Sequence, residues 1–152
     1  KVAGWWIDGC YESAYRFPEG DPPNFETFAA ALRAGNPDAI VAFNAGVQNP
    51  VACHTVHEDY TAGEVARALP ECPGGWAEKD GHRARYHILS YLGEDWCQGG
   101  PRFPVELVVG YTRHVTDHGG VISWDVPIRR DGLIEAPFIE QLAAVGKSGP
   151  RP

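Results

Sequence analysis

Two acids stand out by where they fall. Asp8 follows the stretch Val2 to Ile7, rich in aromatic and β-branched residues, and precedes a glycine. A carboxylate there either ends a surface turn or is presented to a site. The acid that pairs with it most readily is Glu64, in "EDYTAGE". Hydrolysis of a sugar bond needs two carboxyl groups flanking it, one ionised to attack or stabilise and one protonated to assist the departing oxygen. Rings accompany them: Trp5, Trp6, Tyr11, Trp76, Trp96 and Trp124 lie near predicted strand ends or loops, where flat faces pack on the C–H surfaces of sugars. Each has an ordinary alternative. An acid opening a helix compensates its dipole, an acid after a strand can be solvated, and tryptophan is often core.

Histidines offer a second chemistry. "CHTVHED" sets His54 and His57 three apart beside Cys53, Glu58 and Asp59, and "RHVTDH" sets His114 and His118 four apart on a predicted helix. Neighbours three apart on an extended loop diverge, and histidines at a helix C-terminus suit its dipole without any ion. Neither cluster completes a four-ligand set, so no metal and no cofactor is expected. "CPGGW" and "CQGGP" lack the spacing of a nucleotide-binding loop, and no Gly-x-Ser-x-Gly elbow occurs.

Stepping outward, the 152 residues fit one domain. Thirteen basic against 20 acidic side chains give a formal charge of −7, with no basic cluster beyond Arg129 and Arg130, which argues against a nucleic-acid partner. No apolar run approaches the roughly 20 residues of a membrane span, and the first residues lack a signal-peptide layout. Nothing in the sequence assigns a compartment. The four cysteines form no CxxC pair. There is no methionine, and a strand pattern begins almost at residue 1, so a segment of a longer chain is expected.

The elements that must position Asp8 and Glu64 alternate. Val2 to Ile7 reads as a buried parallel strand. A turn-rich stretch, "RFPEGDPPN", leads to Asn24, an N-cap for the helix "FETFAAALRAG", and "DAIVAFNAG" follows as a second strand. From Val47 to Arg85 no strand is predicted and "YTAGEVARAL" reads as a short helix; so long a connector suggests function. "RYHILSYLG" is a third strand, Pro104 opens a helix that Gly119 and Gly120 close, "VISWDVP" is a fourth strand, and a last helix begins near Pro137. Asp8, Asn44 and Asp125 end three of the strands, and the third runs into Glu94 and Asp95. The carboxyl ends of parallel strands are where sites are built.

On these residues the chain resembles the second half of the catalytic barrel of retaining α-L-fucosidases of the glycoside hydrolase family twenty-nine type. In that family a strand ending Trp-x-Asp supplies the nucleophile, which matches Trp6 and Asp8. An Asp-(Phe/Tyr)-x-Thr-x-Glu-like loop supplies the acid/base in some members; "DYTAGE" matches it through Asp59, Tyr60 and Glu64, with the threonine displaced by one. The helix, Gly-Gly pair, apolar strand, proline and Asp-Gly-x-Ile turn near the end follow the family layout. Departures are the missing arginine at "FNAG" and "SWDVP" in place of the usual terminal-strand ending.

The resemblance implies an α/β fold, a partial (β/α)8 TIM-type barrel of about four parallel strands over residues 1–147 with a tail over 148–152. It implies Asp8 and Glu64 as the catalytic pair, with Glu58 and Glu78 as substitutes for the acid/base. Trp6, Tyr11, Asn44, Asp59, Tyr60, Trp96, Trp124 and Asp125 would line a carbohydrate site. A half barrel would leave two sheet edges open, a route to homo-oligomers. The competing readings are a glycan-binding protein without turnover and a metal-dependent hydrolase using His54 and His57.

Overall fold

The computed structural model of the chain describes residues 1–11 and 20–149; part of the turn-rich stretch before Asn24 and the last three residues of the tail lie outside them. The described residues form a mixed α/β fold. In order come β1 (Gly4–Ile7), α1 (Phe25–Arg33), β2 (Ile40–Phe43), β3 (Trp76–Lys79), β4 (His82–Arg85), β5 (His87–Tyr91), α2 (Val105–Asp117), β6 (Val121–Asp125) and α3 (Ala136–Ser148).

Two parallel pairs carry the architecture. β1 lies beside β2 with Gly4 opposite Ile40 and Ile7 opposite Phe43, and β5 lies beside β6 with His87 opposite Val121 and Tyr91 opposite Asp125. Residues 59–65 join the pairs. Asp59 N donates to Val41 O at 2.8 Å on one side; on the other, Thr61 N donates to Arg85 O at 3.0 Å and Leu89 N to Gly63 O at 2.8 Å. The backbone thus runs as an array of short two-stranded sheets, β1 and β2, then the linking segment 59–65, then β5 and β6. This corrects the expected helix "YTAGEVARAL": its first half is extended, because pairing on both sides satisfies its N–H and C=O groups as a helix would.

The expectation of a middle without strands is corrected too. β3 and β4 form an antiparallel hairpin, turned by Asp80 and Gly81 with φ of 49° and 79°. Asp-Gly is a strong hairpin signal when its flanks alternate. Here the flanks are mostly charged, so the alternation was absent.

The helices begin as the sequence indicates. Asn24 Oδ1 accepts from Thr27 N at 2.9 Å while Thr27 Oγ1 accepts from Asn24 N at 3.0 Å, a reciprocal capping box. Pro104 caps α2, and Gly119 with φ of 80° closes it.

Three apolar clusters fix the helices to one face. Phe25 and Ala29 of α1 pack with Val41 and Phe43; Val115 of α2 packs with Ile88, Tyr86 and Val65; Phe138 of α3 packs with Val108 and Leu92. Side chains alternate along a strand, so Trp6, Ala42, Ala62, Glu64, His87, Leu89 and Ser123 belong to the opposite face. No helix is long and apolar enough to cross a membrane among the described residues.

Candidate active site

At the carboxyl ends of β1 and β2 the chain brings Asp8, Tyr11, Asn44 and Glu64 together. β1 runs directly into Asp8, which is exposed, and Gly9 with φ of 80° turns the chain back so that Tyr11 reaches it. Asp8 Oδ1 accepts from Tyr11 OH at 2.6 Å, Gly9 N at 2.7 Å and Asn44 Nδ2 at 3.0 Å. Among the described residues no donor reaches Oδ2. One oxygen is therefore anchored and the other is open to a ligand.

Glu64 comes from the central segment, and its Oε2 accepts from the same Asn44 Nδ2 at 2.5 Å. Two bonds meeting at one nitrogen cap the separation of Asp8 Oδ1 and Glu64 Oε2 at about 5.5 Å. Gly63 makes this placement possible. With φ of 67° it brings the backbone so close to β5 that a Cβ there would lie 1.9 Å from His87 O.

The Tyr11 hydroxyl, foremost, holds the Asp8 carboxyl below its ordinary value of 3.8 against the desolvation that raises it, with help from Asn44 and the Gly9 N–H. The same bond pushes the Tyr11 phenol up to about 12, so it remains a donor at neutral pH.

Rings and polar groups continue along this face. Trp6 Nε1 donates to Ala62 O at 3.0 Å, tying β1 across β2 to the central segment. Tyr60 donates to Trp5 O at 2.9 Å and meets His87 edge-on at 5.5 Å. His87 is buried, with Nδ1 3.0 Å from Thr61 O and Nε2 3.0 Å from Ser123 Oγ, and burial lowers its pKa from 6.5. Sequence reasoning passed over His87. The signal for it was period two: in "HILSY" the positions alternate with the core-facing Ile88.

The other end of the array supplies a second ring. Trp96 meets the buried Tyr91 ring at 4.7 Å, and its loop is fastened by Asp125, which accepts from Cys97 N at 2.7 Å and from Cys97 Sγ at 3.3 Å. Both Asp125 oxygens are thus engaged within the loop.

Two residues expected in the site lie elsewhere. Trp124 turns to the helix side, where Nε1 donates to Thr112 Oγ1 at 3.0 Å and Tyr111 and Phe103 meet its ring. Asp59 opens the central segment at the opposite end from Glu64 and pairs with Arg33 at 2.5 Å.

Neither alternative acid stands beside Asp8. Glu58 is 1 % exposed; its Oε1 accepts from Phe43 N at 2.9 Å, and Oε2 accepts from His54 N at 2.7 Å and Thr55 N at 3.3 Å. Burial raises its pKa from 4.5, with the three backbone donors working against that rise. Glu78 is on the exposed hairpin, paired with Arg83 at 3.3 Å. His54 packs edge-on against Phe25, and His114 lies 4.5 Å from His118, ring to ring. No three His, Cys, Asp or Glu side chains converge on one point among the described residues. No disulfide joins the cysteines among the described residues, and Cys97 is exposed.

No protein-family model matches the chain, and no curated protein does. Solved structures do. The endo-fucoidan hydrolase MfFcnA9 from glycoside hydrolase family 107 superposes with a TM-score of 0.75 at 22% identity over 95% of this chain and 32% of that one. MfFcnA4 of the same family gives 0.72 at 21% identity over 95% of this chain and 27% of its own. The α-L-fucosidase isoenzyme 1 from Paenibacillus thiaminolyticus gives 0.66 at 18% identity over 97% of this chain and 34% of its own. The chain shares its fold with a segment of fucose-acting glycoside hydrolases. It spans between about a quarter and a third of the lengths of these three enzymes. The α/β fold expected from the sequence is present, and two of these three neighbours belong to family 107 rather than family twenty-nine.

Proposed function

We propose that this chain is part of a retaining glycoside hydrolase that cleaves an α-L-fucosyl linkage, with Asp8 as nucleophile and Glu64 as acid/base. The observation that carries the reading is the shared Asn44 donor. It caps the gap between Asp8 Oδ1 and Glu64 Oε2 at about 5.5 Å, which is compatible with the roughly 5 to 5.5 Å of retaining pairs and short of the roughly 6.5 to 9.5 Å that inversion needs for an intervening water. The fold shared with fucose-acting enzymes supports the sugar class, and the residues matching the family twenty-nine pattern support the assignment of roles. The parallel array with helices on one face is read as one part of a (β/α)8 barrel, Asp8 and Glu64 standing at the carboxyl ends of its strands.

In the first step Asp8 Oδ2 forms a bond to the anomeric carbon as the glycosidic C–O bond breaks, and the Glu64 proton passes to the departing oxygen. In the second, Glu64 takes a proton from water, the water oxygen bonds to the anomeric carbon, and the Asp8 ester breaks. Trp6 and Trp96 offer ring faces to the sugar from either side of the array.

The test is hydrolysis of an aryl α-L-fucoside by the full reading frame, with product anomers followed by NMR. The expected result is first release of the α-anomer, and loss of at least about a thousandfold in kcat for Asp8→Ala. Release of the β-anomer, or turnover that survives Asp8→Ala, sinks the proposal. Folded wild type that binds fucosides without cleaving them favours the glycan-binding reading.

A further inference from the structure

Asn44 is fully buried between two carboxylates, one of them exposed to solvent. We infer that Asn44 is a positioning residue: its amide nitrogen fixes the spacing of Asp8 and Glu64 and serves both as their common donor. This deepens the glycosidase reading and rests on it for the catalytic consequence.

The orientation of the amide is settled by its other end. Gly46 N donates to Asn44 Oδ1 at 3.0 Å, an Asx-type turn over "NAG" that Gly46 allows with its φ of 94°. The reversed amide would set its oxygen against two carboxylate oxygens and its NH2 against an N–H. The nitrogen therefore faces the acids. It has two protons and two acceptors, so its capacity is filled. No proton is left for a sugar hydroxyl, and the expected role in substrate binding becomes one of placing the residues that react.

The chemistry of an amide suits that role. Two carboxyl groups this close repel when both are charged, and the reaction moves the charge from one to the other. Asp8 carries it before attack. Once Asp8 is esterified, Glu64 carries it. An amide neither gains nor loses a proton in the working range, so it donates to whichever partner is charged without entering the proton count. On Asp8, moreover, it acts at the oxygen that Tyr11 and Gly9 already anchor, which leaves Oδ2 open for attack.

The inference is tested by following the Asn44 side-chain amide signals of wild type by NMR through an acid titration, beside the Asp8 carboxyl carbon. The amide signals are expected to move with the Asp8 midpoint. In Asn44→Ala and in Asn44→Asp that midpoint moves upward. In the full reading frame, kcat on an aryl α-L-fucoside falls about tenfold to a hundredfold in Asn44→Ala with KM nearly unchanged, the loss of one bond to a charged group. Amide signals that ignore the titration overturn the inference without any variant, and so does an unchanged Asp8 midpoint in a folded variant. A coupled titration in a wild type without hydrolase activity upholds the placement and sinks only the glycosidase reading. Hydrolysis with an uncoupled Asn44 does the reverse.

Discussion

Asp8 has two chemically distinct oxygens because, among the described residues, every donor in reach falls on one of them. Tyr11 contributes the shortest of these bonds and the largest lowering of the Asp8 pKa. Tyr11→Phe removes that donor at an exposed position, so the fold is unaffected while the Asp8 pKa rises toward 3.8. A carboxylate lowered on folding adds stability above its unfolded pKa and loses it as pH falls through the folded one. The variant therefore loses the Asp8 contribution at higher pH than wild type. The acidic limb of the kcat/KM profile moves upward with it, and an unmoved limb would show that Tyr11 does not set the ionisation of Asp8. Asp8, Glu64 and Tyr11 were singled out in the sequence by type and position, and the structure brings them together. What Asn44 does was not legible there, because the direction of an amide depends on Gly46 two residues on and on two acids from other elements.

At the scale of elements, the central segment decides whether there is a site. Residues 60–69 read as helical because alanine, glutamate and arginine favour helix, yet residues 59–65 run extended between β2 and β5 and carry Glu64 to the Asp8 end. Gly63 is the hinge of that outcome. Gly63→Ala must move backbone at His87, and it is strained at positive φ as well, so it should lower unfolding free energy by about 2 kcal/mol or more. Gly132 also has positive φ, 81°, but with nothing near a Cβ, and Gly132→Ala should cost about 1 kcal/mol. Urea denaturation of the two variants makes the comparison, and equal losses would mean that the close approach to β5 is not what fixes Gly63. The strand and helix alternation was readable because periodicity and caps are local. The hairpin and the central strand were not, since one lacks alternating flanks and the other is defined by its neighbours.

At the scale of the whole molecule, helices cover one face of the array and the proposed catalytic pair belongs to the other. The same alternation that puts Trp6 and Glu64 on the second face puts Trp124 on the first, against α2. The spacing to the strand-terminal acids separates these tryptophans: Trp6 stands two residues before Asp8 and shares its face, whereas Trp124 immediately precedes Asp125 and points the other way. The neighbours with this fold extend well beyond the matched segment, and the proposed site lies on the face without helices, where further parts of a barrel would close over it. The central claim is that Asp8 attacks the sugar. Incubating the full reading frame with a 2-deoxy-2-fluoro fucosyl fluoride and mapping the adduct by peptide mass spectrometry reads this directly. The account predicts one fluorofucosyl group on the peptide carrying Asp8, absent from Asp8→Ala; a label on another carboxylate, or turnover of the fucoside with no adduct at all, would contradict it.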